Sequence, residues 1–204
     1  MILIMALVLA VSSGGCFGKS WRVSFAFPAN YSDWGQQDYG GSIASVPGLG
    51  VKLNYWALNS PVAFNQDFTI TVDLSLYTDA DERAFFGILI GDNDEFYPTN
   101  FIYSTFSDIG AEGSEDWTVY ERSALNHGKV DNSTLPTLLR KGINRWKLVK
   151  TGDNIKVYMN FFKVADFNLT VCTASMYYIN LYSEQLGGDI VFNSIKVDYK
   201  GSIL

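Results

Sequence analysis

The chain has 204 residues and a formal net charge of −6. This length suits a single domain with one substantial core, and it requires no second domain. The acidic balance excludes nucleic acid as a partner, because affinity for a phosphate backbone rests on Lys and Arg side chains that displace counterions. Aromatic residues make up 15% of the chain, 18 residues are glycine, and only 18% are charged. This composition favours β-structure, because aromatic side chains fill a pleated, half-buried surface and glycine serves turns.

The N-terminus begins with an apolar run, MILIMALVLA, which is followed by small residues and then Cys16. The run is too short to span a bilayer, which takes roughly 20 residues in a helix. An apolar run followed by small residues is typical of a signal peptide. With the cysteine at its end, the segment resembles a bacterial lipoprotein signal, in which Cys16 is lipidated and becomes the first mature residue.

The resemblance implies a signal peptide at 1–15 and a short tether at 16–20, which leaves residues 21–204 as a single domain. It also implies export and anchoring to a membrane, in the periplasm or at the cell surface. Ser13 stands where such signals usually have an aliphatic residue, and the first 15 residues carry no Lys or Arg. An ordinary secretory signal cleaved near Gly15 and a retained hydrophobic arm stay open as alternatives.

Alternating apolar and polar residues predict half-buried strands along much of the remaining chain. KSWRVSFAF, VKLNYWAL and DWTVYER all show this pattern. In the first of these, Trp21, Val23, Phe25 and Phe27 share one face. In DFTITVDLSLY the apolar face is formed by Phe68, Ile70, Val72, Leu74 and Leu76. FFGILIG, residues 85–91, is apolar throughout, so we expect a central strand covered on both faces.

An acidic cluster follows this central strand. Asp92, Asp94 and Glu95 stand together with Asn93 in a predicted turn. Calcium prefers six to eight oxygen ligands, and carboxylates supply them. These residues are therefore a candidate calcium site, and the alternative is a solvated polar turn.

Two tryptophans lie among polar residues instead of in alternating apolar positions. They are Trp34, in NYSDWGQQ, and Trp117, in SEDWTVYE, where Tyr120 follows. A sugar packs its apolar C–H face on a flat aromatic ring while flanking polar groups bind its hydroxyls. Trp34, Trp117 and Tyr120 are therefore the candidate ligand-binding residues, and packing within loops is the alternative.

Residues 122–143 look unlike a strand, because they are polar and rich in turn-forming residues. They predict a long loop with at most a helical turn at 135–139. The only histidine, His127, lies in this segment without a nucleophile motif, so we interpret it as an exposed loop residue.

The C-terminal part predicts a hairpin. NRWKLVK and IKVYMNFF alternate on either side of a turn that contains Gly152, and Trp146 and Leu148 face the same way as Val157. MYYINLYS and GDIVFNSIKVDYK add two strands. Cys172 lies in an apolar stretch and is predicted as a small buried residue, with a disulfide to Cys16 as the alternative. The total is about 10–12 strands without a long helix, which indicates a β-sandwich.

Three segments resemble the concanavalin A-like jelly-roll superfamily, which includes laminin-G-like and glucanase-like sandwiches. They are RWKLVKTGDNIKVYMNFFKVADF, FFGILIGDNDEFY and the closing pair YINLYSE and GDIVFNSIKVDY. The resemblance implies an all-β jelly roll of antiparallel strands. The chain has Asn160-Phe161-Phe162 where the family usually has Asn-Gly. Lectins, hydrolases and adhesion modules share this sandwich, so the fold does not choose among them.

Glucanase members of the superfamily place two glutamates and an aspartate at alternate positions of one strand. Such carboxylates act as acid and nucleophile about 5 Å apart. The chain lacks this pattern, and the nearest strand offers Asp73 alone. Glucanase-type hydrolysis is therefore not predicted.

The resulting functional hypothesis is a membrane-anchored, exported lipoprotein whose non-catalytic sandwich binds carbohydrate or a cell-surface protein. A glycoside hydrolase of the same fold is one alternative, and two carboxylates about 5 to 10 Å apart in a cleft would favour it. A structural component of an envelope complex is another, and a large exposed apolar patch would favour that. An open groove on the concave face would support ligand binding, whereas a filled face would argue against it.

Overall fold

The structure, a computed structural model, describes residues 18–77, 84–92, 100–108, 114–122, 131–136, 142–183 and 190–204. Within these ranges the chain forms thirteen β-strands and one 3-10 turn, Pro28–Tyr31. The strands are β1 (Lys19–Ser24), β2 (Gly35–Val46), β3 (Gly50–Asn59), β4 (Phe68–Leu76), β5 (Ala84–Gly91), β6 (Phe101–Asp108), β7 (Ser114–Arg122), β8 (Asp131–Pro136), β9 (Gly142–Thr151), β10 (Asn154–Met159), β11 (Phe162–Asn168), β12 (Tyr178–Ser183) and β13 (Ile190–Tyr199). The all-β prediction is confirmed, with one strand more than the upper end of the predicted number.

The strands form one curled antiparallel sheet that folds into two layers. Layer I has the order β1-β13-β4-β9-β10-β11, and layer II has the order β2-β3-β12-β5-β6-β7-β8. Strand β13 joins them, because Phe192 pairs with Val51 of β3 while Ser194 pairs with Ser24 of β1. The register of β13 against β4 shifts between Phe192 and Ser194. Such a bulge bends a strand, and here it marks the corner between the layers.

The predicted alternation fixes which side of layer I faces the core. In β4 the five apolar residues from Phe68 to Leu76 are buried, whereas the alternating polar residues Thr69, Thr71 and Asp73 are only half-buried. The predicted hairpin is also present as β9 and β10, with Gly152 at φ 55° in its turn. Glycine adopts this positive φ without steric cost, and the conformation matches the twist of the hairpin strands.

The core lies between the two layers, and a buried hydrogen bond runs across it from one layer to the other. Trp146 of β9 is completely buried, and its Nε1–H donates to Ser104 Oγ of β6 at 3.0 Å. Phe86 of β5 and Phe192 of β13 meet edge to face, with ring centroids 6.3 Å apart. Apolar burial and the buried hydrogen bond between Trp146 and Ser104 therefore both connect the two layers.

Strand β5 is central, as predicted, because it pairs with β12 on one side and β6 on the other. Phe86, Ile88 and Ile90 belong to the main core, and Leu89 is buried although it points to the opposite face. The prediction of a strand covered on both faces is confirmed for the described residues.

Two predictions about the extent of strands are wrong. Residues 131–136 form β8, which pairs with β7 along its length, so the segment 122–143 contains a strand instead of one long loop. The composition of β8 is turn-like, and its strand conformation comes from the backbone partners that β7 supplies. Phe27 lies beyond the end of β1 and is 63% exposed, because the chain turns before Pro28. His127 lies outside the described residues.

Cys172 is a buried free thiol, as predicted, and burial raises its pKa. Cys16 and the whole predicted signal segment lie outside the described residues. The part of the chain that the structure describes has no helix of the length and apolar character needed to cross a membrane.

Candidate functional site

Trp34 does not offer an exposed face, which corrects its interpretation as a ligand platform. It is 3% exposed, stacks on Trp21 with ring centroids 5.9 Å apart, and meets Phe25 edge to face at 5.2 Å. The 3-10 turn at Pro28–Tyr31 brings the chain back over the core, so the polar sequence around Trp34 surrounds a core residue. Local polarity misled the prediction, because burial is decided by these distant contacts.

Trp117 and Tyr120 both lie on β7. The backbone of Trp117 pairs with Phe106, and that of Tyr120 pairs with Tyr103. Their side chains lie outside what the structure describes. Their role in ligand binding therefore stays a prediction.

The acidic cluster is described only at Asp92. Asn100 donates from Nδ2 to Asp92 Oδ2 at 2.6 Å and accepts from the Asp92 backbone N–H at 3.0 Å. Asp92 Oδ1 is buried and has no hydrogen-bond partner, as a cation ligand would be. Asp94 and Glu95 lie outside the described residues, among which no group of three metal-binding side chains occurs. A calcium site here stays a prediction.

The outer face of layer II is a buried layer of amide and aromatic groups. Backbone pairing aligns Asn59 with Asn180, and Asn180 with Leu89. Asn180 is 0% exposed, and Asn59 and Leu89 are also buried, although all three alternate with residues of the main core. Next to them Tyr182 packs edge to face on Tyr39 at 6.1 Å. This part of the face is therefore filled, so it offers no open groove along these residues.

An open groove lies instead on the outer face of layer I and encloses about 440 Å³. We call it the layer I groove, and its lining residues are Thr69, Thr71, Arg145, Lys147, Tyr158, Phe161 and Asp198. These side chains come from β4, β9, β10, the β10–β11 turn and β13. The strand residues among them point outward, because side chains alternate along a strand and their neighbours in sequence, such as Ile70, Trp146 and Val157, point into the core.

The aromatic end of the groove is set by the β10–β11 turn. Asn160 and Phe161 have φ values of 47° and 77°, in the left-handed region that favours glycine. Asn160 is held by its side chain, which donates to Asn144 Oδ1 at 2.7 Å and accepts from the Arg145 backbone N–H at 2.9 Å. Phe161 is therefore presented with 83% of its surface exposed. The departure from the usual Asn-Gly turn places a large ring at the groove.

Ion pairs neutralise part of the groove. Arg145 donates from Nε and Nη2 to the two carboxylate oxygens of Asp73 at 2.7 and 3.1 Å, and this hydrogen bonding raises the pKa of Arg145. Lys196 forms an ion pair with Asp198 at 2.7 Å. Lys147 lies with its Nζ 5.7 Å from the centroid of the Tyr158 ring, and no carboxylate among the described residues pairs with it. The groove thus combines aromatic rings, hydroxyl groups and an unpaired ammonium group.

Glu121 is a buried carboxylate that sequence reasoning missed. It is 1% exposed and accepts hydrogen bonds from the backbone amides of Thr170, Val171 and Cys172 and from the Thr170 hydroxyl, at 2.6 to 2.9 Å. Burial opposes its ionisation, but these donors outweigh burial and lower the pKa of Glu121. The carboxylate therefore ties β7 to the chain that crosses from β11 to β12.

No protein-family model matches the chain, and no curated protein sequence matches it at a significant level. Solved structures do resemble it. A Bacillus subtilis protein of unknown function with a galectin-like fold is 14% identical, with a TM-score of 0.63, and the match covers 89% of this chain and 96% of that one. A carbohydrate-binding module, CBM66 from Bacillus subtilis, is 17% identical with a TM-score of 0.52, covering 79% and 94%. The β-glucanase of Bacillus licheniformis is 11% identical with a TM-score of 0.61, covering 92% and 100%.

At these identities the likeness shows the fold alone. The jelly-roll prediction is confirmed, since the strands are antiparallel throughout and the neighbours share the architecture. Two sequence signals could have identified the layer I groove. They are the alternating polar residues of β4 and β9 and the unusual Asn160-Phe161-Phe162 turn. Sequence alone did not show that these features lie side by side.

Proposed function

We propose that this chain is a non-catalytic carbohydrate-binding β-sandwich that holds its ligand in the layer I groove. The observation that carries the proposal is the exposed Phe161 ring at an open groove that also contains Tyr158, Thr69 and Thr71. A pyranose ring offers an apolar C–H face to such a ring and hydroxyls to such polar groups. A carbohydrate-binding module among the structural neighbours supports the same class of ligand.

Among the described residues, the state of the carboxylates favours binding over hydrolysis. A glycosidase needs a general acid whose pKa is raised, beside a second carboxylate. The described carboxyl groups with a shifted pKa are Asp67, Glu121 and Asp166, and each shift is downward. At the groove, Asp73 and Asp198 are paired with cations. Each of these two carboxylates thus contacts a basic side chain, and these pairs support a binding role.

The alternative of an assembly protein finds less support than a binding site. Phe161 and Phe162 are exposed neighbours at one end of layer I, but charged and hydroxyl groups continue from there across the groove. A cell-surface protein is the other class of ligand that this mixed surface suits. Sedimentation of the chain alone, which should show a monomer, checks the assembly alternative.

We also propose, from the leader alone, that the domain is exported and held at a membrane by lipid on Cys16. Strand β1 begins at Lys19, so the tether would keep the sandwich near the membrane. Intact-mass analysis of membrane-fraction protein should show loss of residues 1–15 and an acyl mass on Cys16. A Cys16→Ser variant that stayed in the membrane fraction would contradict the anchor.

The groove is tested by replacing Phe161 with glycine. Phe161→Gly removes the ring and relieves the left-handed strain, so the free energy of unfolding should rise by about 1 kcal/mol. Affinity for a polysaccharide ligand should nevertheless fall about thirtyfold, as expected for a contact of about 2 kcal/mol. Affinity electrophoresis against a polysaccharide panel measures the binding, and urea unfolding measures the stability.

The matched control is Phe27→Ala. Phe27 is also an exposed phenylalanine, but it does not line the groove. Its replacement should leave affinity unchanged. Equal binding by the Phe161→Gly variant and the unchanged chain would refute the groove as the site. Because the variant is expected to be more stable, a loss of binding would not result from a damaged fold.

A further inference from the structure

The layer I groove is the middle of a longer feature that crosses all six strands of layer I. Backbone pairing places one residue from each strand on a single line across the outer face, which we call the cationic row. Its members, in the order β1, β13, β4, β9, β10 and β11, are Arg22, Lys196, Thr71, Lys147, Tyr158 and Lys163. Four of these six side chains are basic.

The outward strand face of layer I carries a net positive charge, although the chain is acidic. Its basic side chains are Arg22, Arg145, Lys147, Lys156, Lys163 and Lys196, and its carboxylates are Asp73, Asp166 and Asp198. Six cations and three carboxylates give this face a charge of +3, whereas the chain carries −6. The sign of this surface is therefore opposite to that of the molecule.

Half of these cations have no carboxylate partner among the described residues. Arg145, Lys163 and Lys196 form ion pairs on the face itself. The other three are Arg22, Lys147 and Lys156, which form none with any residue that the structure describes. Unpaired cations of one sign, held on a rigid sheet, attract an anionic ligand and gain from its counterion release.

The row has the shape of a site for a linear polymer. Adjacent strands lie about 4.8 Å apart, so a row across six strands is about 24 Å long. Cations stand at the first, second, fourth and sixth positions of the row, and Tyr158 stands between the last two. Phe161 follows at the end of β10 as an exposed ring. Anionic groups repeated along a chain of sugars would meet these cations in turn.

We propose that the cationic row binds a linear acidic polysaccharide that lies across the strands of layer I. The inference rests on the proposed function, because it assumes that the groove binds carbohydrate, and it names the class of that carbohydrate. Positive charge attracts the anionic groups, while the rings of Tyr158 and Phe161 offer an apolar surface to the pyranose faces. Nucleic acid and anionic lipid offer charge without a pyranose face.

The experiment compares a polyuronate with its own neutral form. Affinity electrophoresis of the full chain is run against polygalacturonate, alginate and a sulfated galactan, and against polygalacturonate whose carboxylates have been reduced to alcohols. We expect at least tenfold tighter binding to polygalacturonate than to the reduced polymer, with an affinity that falls as salt rises. The uronate and sulfate arms show which anionic group is preferred.

Two charge-removing variants locate the site. Lys147→Gln should weaken polygalacturonate binding at least threefold and reduce the salt dependence of log K by up to about one. Lys19→Gln is the matched control, because Lys19 is exposed on β1 of the same layer but stands outside the row. It should leave both quantities unchanged. Equal effects of the two variants would overturn the row as the site.

The remaining outcomes separate the two proposals. Equal binding of polygalacturonate and its reduced form would overturn the acidic ligand and leave carbohydrate binding intact. Binding of no polysaccharide would refute the proposed function itself. Equally tight binding of single-stranded DNA or of phosphatidylglycerol vesicles would overturn the inference, because it would show attraction to any polyanion.

Discussion

The outer faces of the two layers arise from the same alternation of residues, but they meet different surroundings. On layer I, residues such as Thr71 and Lys147 remain accessible beside an open groove. On layer II, Asn180 and Tyr182 occupy equivalent outward positions and are buried. A polar residue on a strand thus marks an outward face, but only packing decides whether that face binds a ligand or stabilises the protein.

The difference between the two faces is tested most strongly by adding one negative charge to each. Asn180→Asp would bury a carboxylate in place of a neutral amide, so the free energy of unfolding should fall by about 3 to 5 kcal/mol. Thr71→Asp, on the open face between Lys196 and Lys147, should change it by no more than about 0.5 kcal/mol. Urea unfolding midpoints measure both, and similar losses in the two variants would contradict the difference between the faces.

Glu121 gives the next largest expected effect and acts inside the sandwich. Glu121→Gln replaces the charged acceptor of the backbone amides of Thr170, Val171 and Cys172 with a neutral amide. We therefore expect the free energy of unfolding to fall by about 2 kcal/mol. Because the folded-state pKa is lowered, the carboxylate's contribution is complete above its unfolded pKa of about 4.5. It is lost as the pH falls through the lower folded value.

The pH dependence of unfolding therefore distinguishes stabilisation by the Glu121 carboxylate from stabilisation by packing of its side chain. The unmodified chain should lose stability below about pH 4.5, and the Glu121→Gln variant should lose less over the same interval. Thermal unfolding from pH 3 to 7 measures the slopes. Parallel curves for both proteins would show that Glu121 is not the responsible group.

The link between the layers is expected to have a smaller effect. Ser104→Ala removes the acceptor of the buried Trp146 Nε1–H, so the free energy of unfolding should fall by about 1 to 2 kcal/mol. Trp146→Phe combined with Ser104→Ala completes a double-mutant cycle that isolates the hydrogen bond from the packing of the indole ring. Strict additivity in that cycle would mean that the hydrogen bond does not couple the layers.

The smallest stability change is expected on the open face. Asp73→Asn breaks the ion pair with Arg145, a partly exposed pair whose loss should cost about 0.5 kcal/mol or less. It also releases a cation beside the groove, so affinity for polygalacturonate should rise by roughly threefold. Affinity electrophoresis measures this gain, and a fall in affinity would instead place Asp73 among the groups that contact the sugar.

The elements whose signal is local follow from the sequence alone. Alternation from Phe68 to Leu76, the Gly152 turn and the apolar run of β5 each follow from steric and hydrophobic rules over a few residues, and the structure has all three. The sequence also indicated the jelly roll, since short alternating strands without long helices leave few other arrangements.

Exposure, in contrast, depends on contacts that form only in the folded chain. Trp34 lies in a polar sequence yet is stacked on Trp21, and the turn-like residues of β8 become a strand because β7 pairs with them. The cationic row is assembled from six strands between Arg22 and Lys196, so no short segment contains it. Burial and alignment across strands depend on residues far apart in the chain, and local sequence patterns do not record which strands become neighbours.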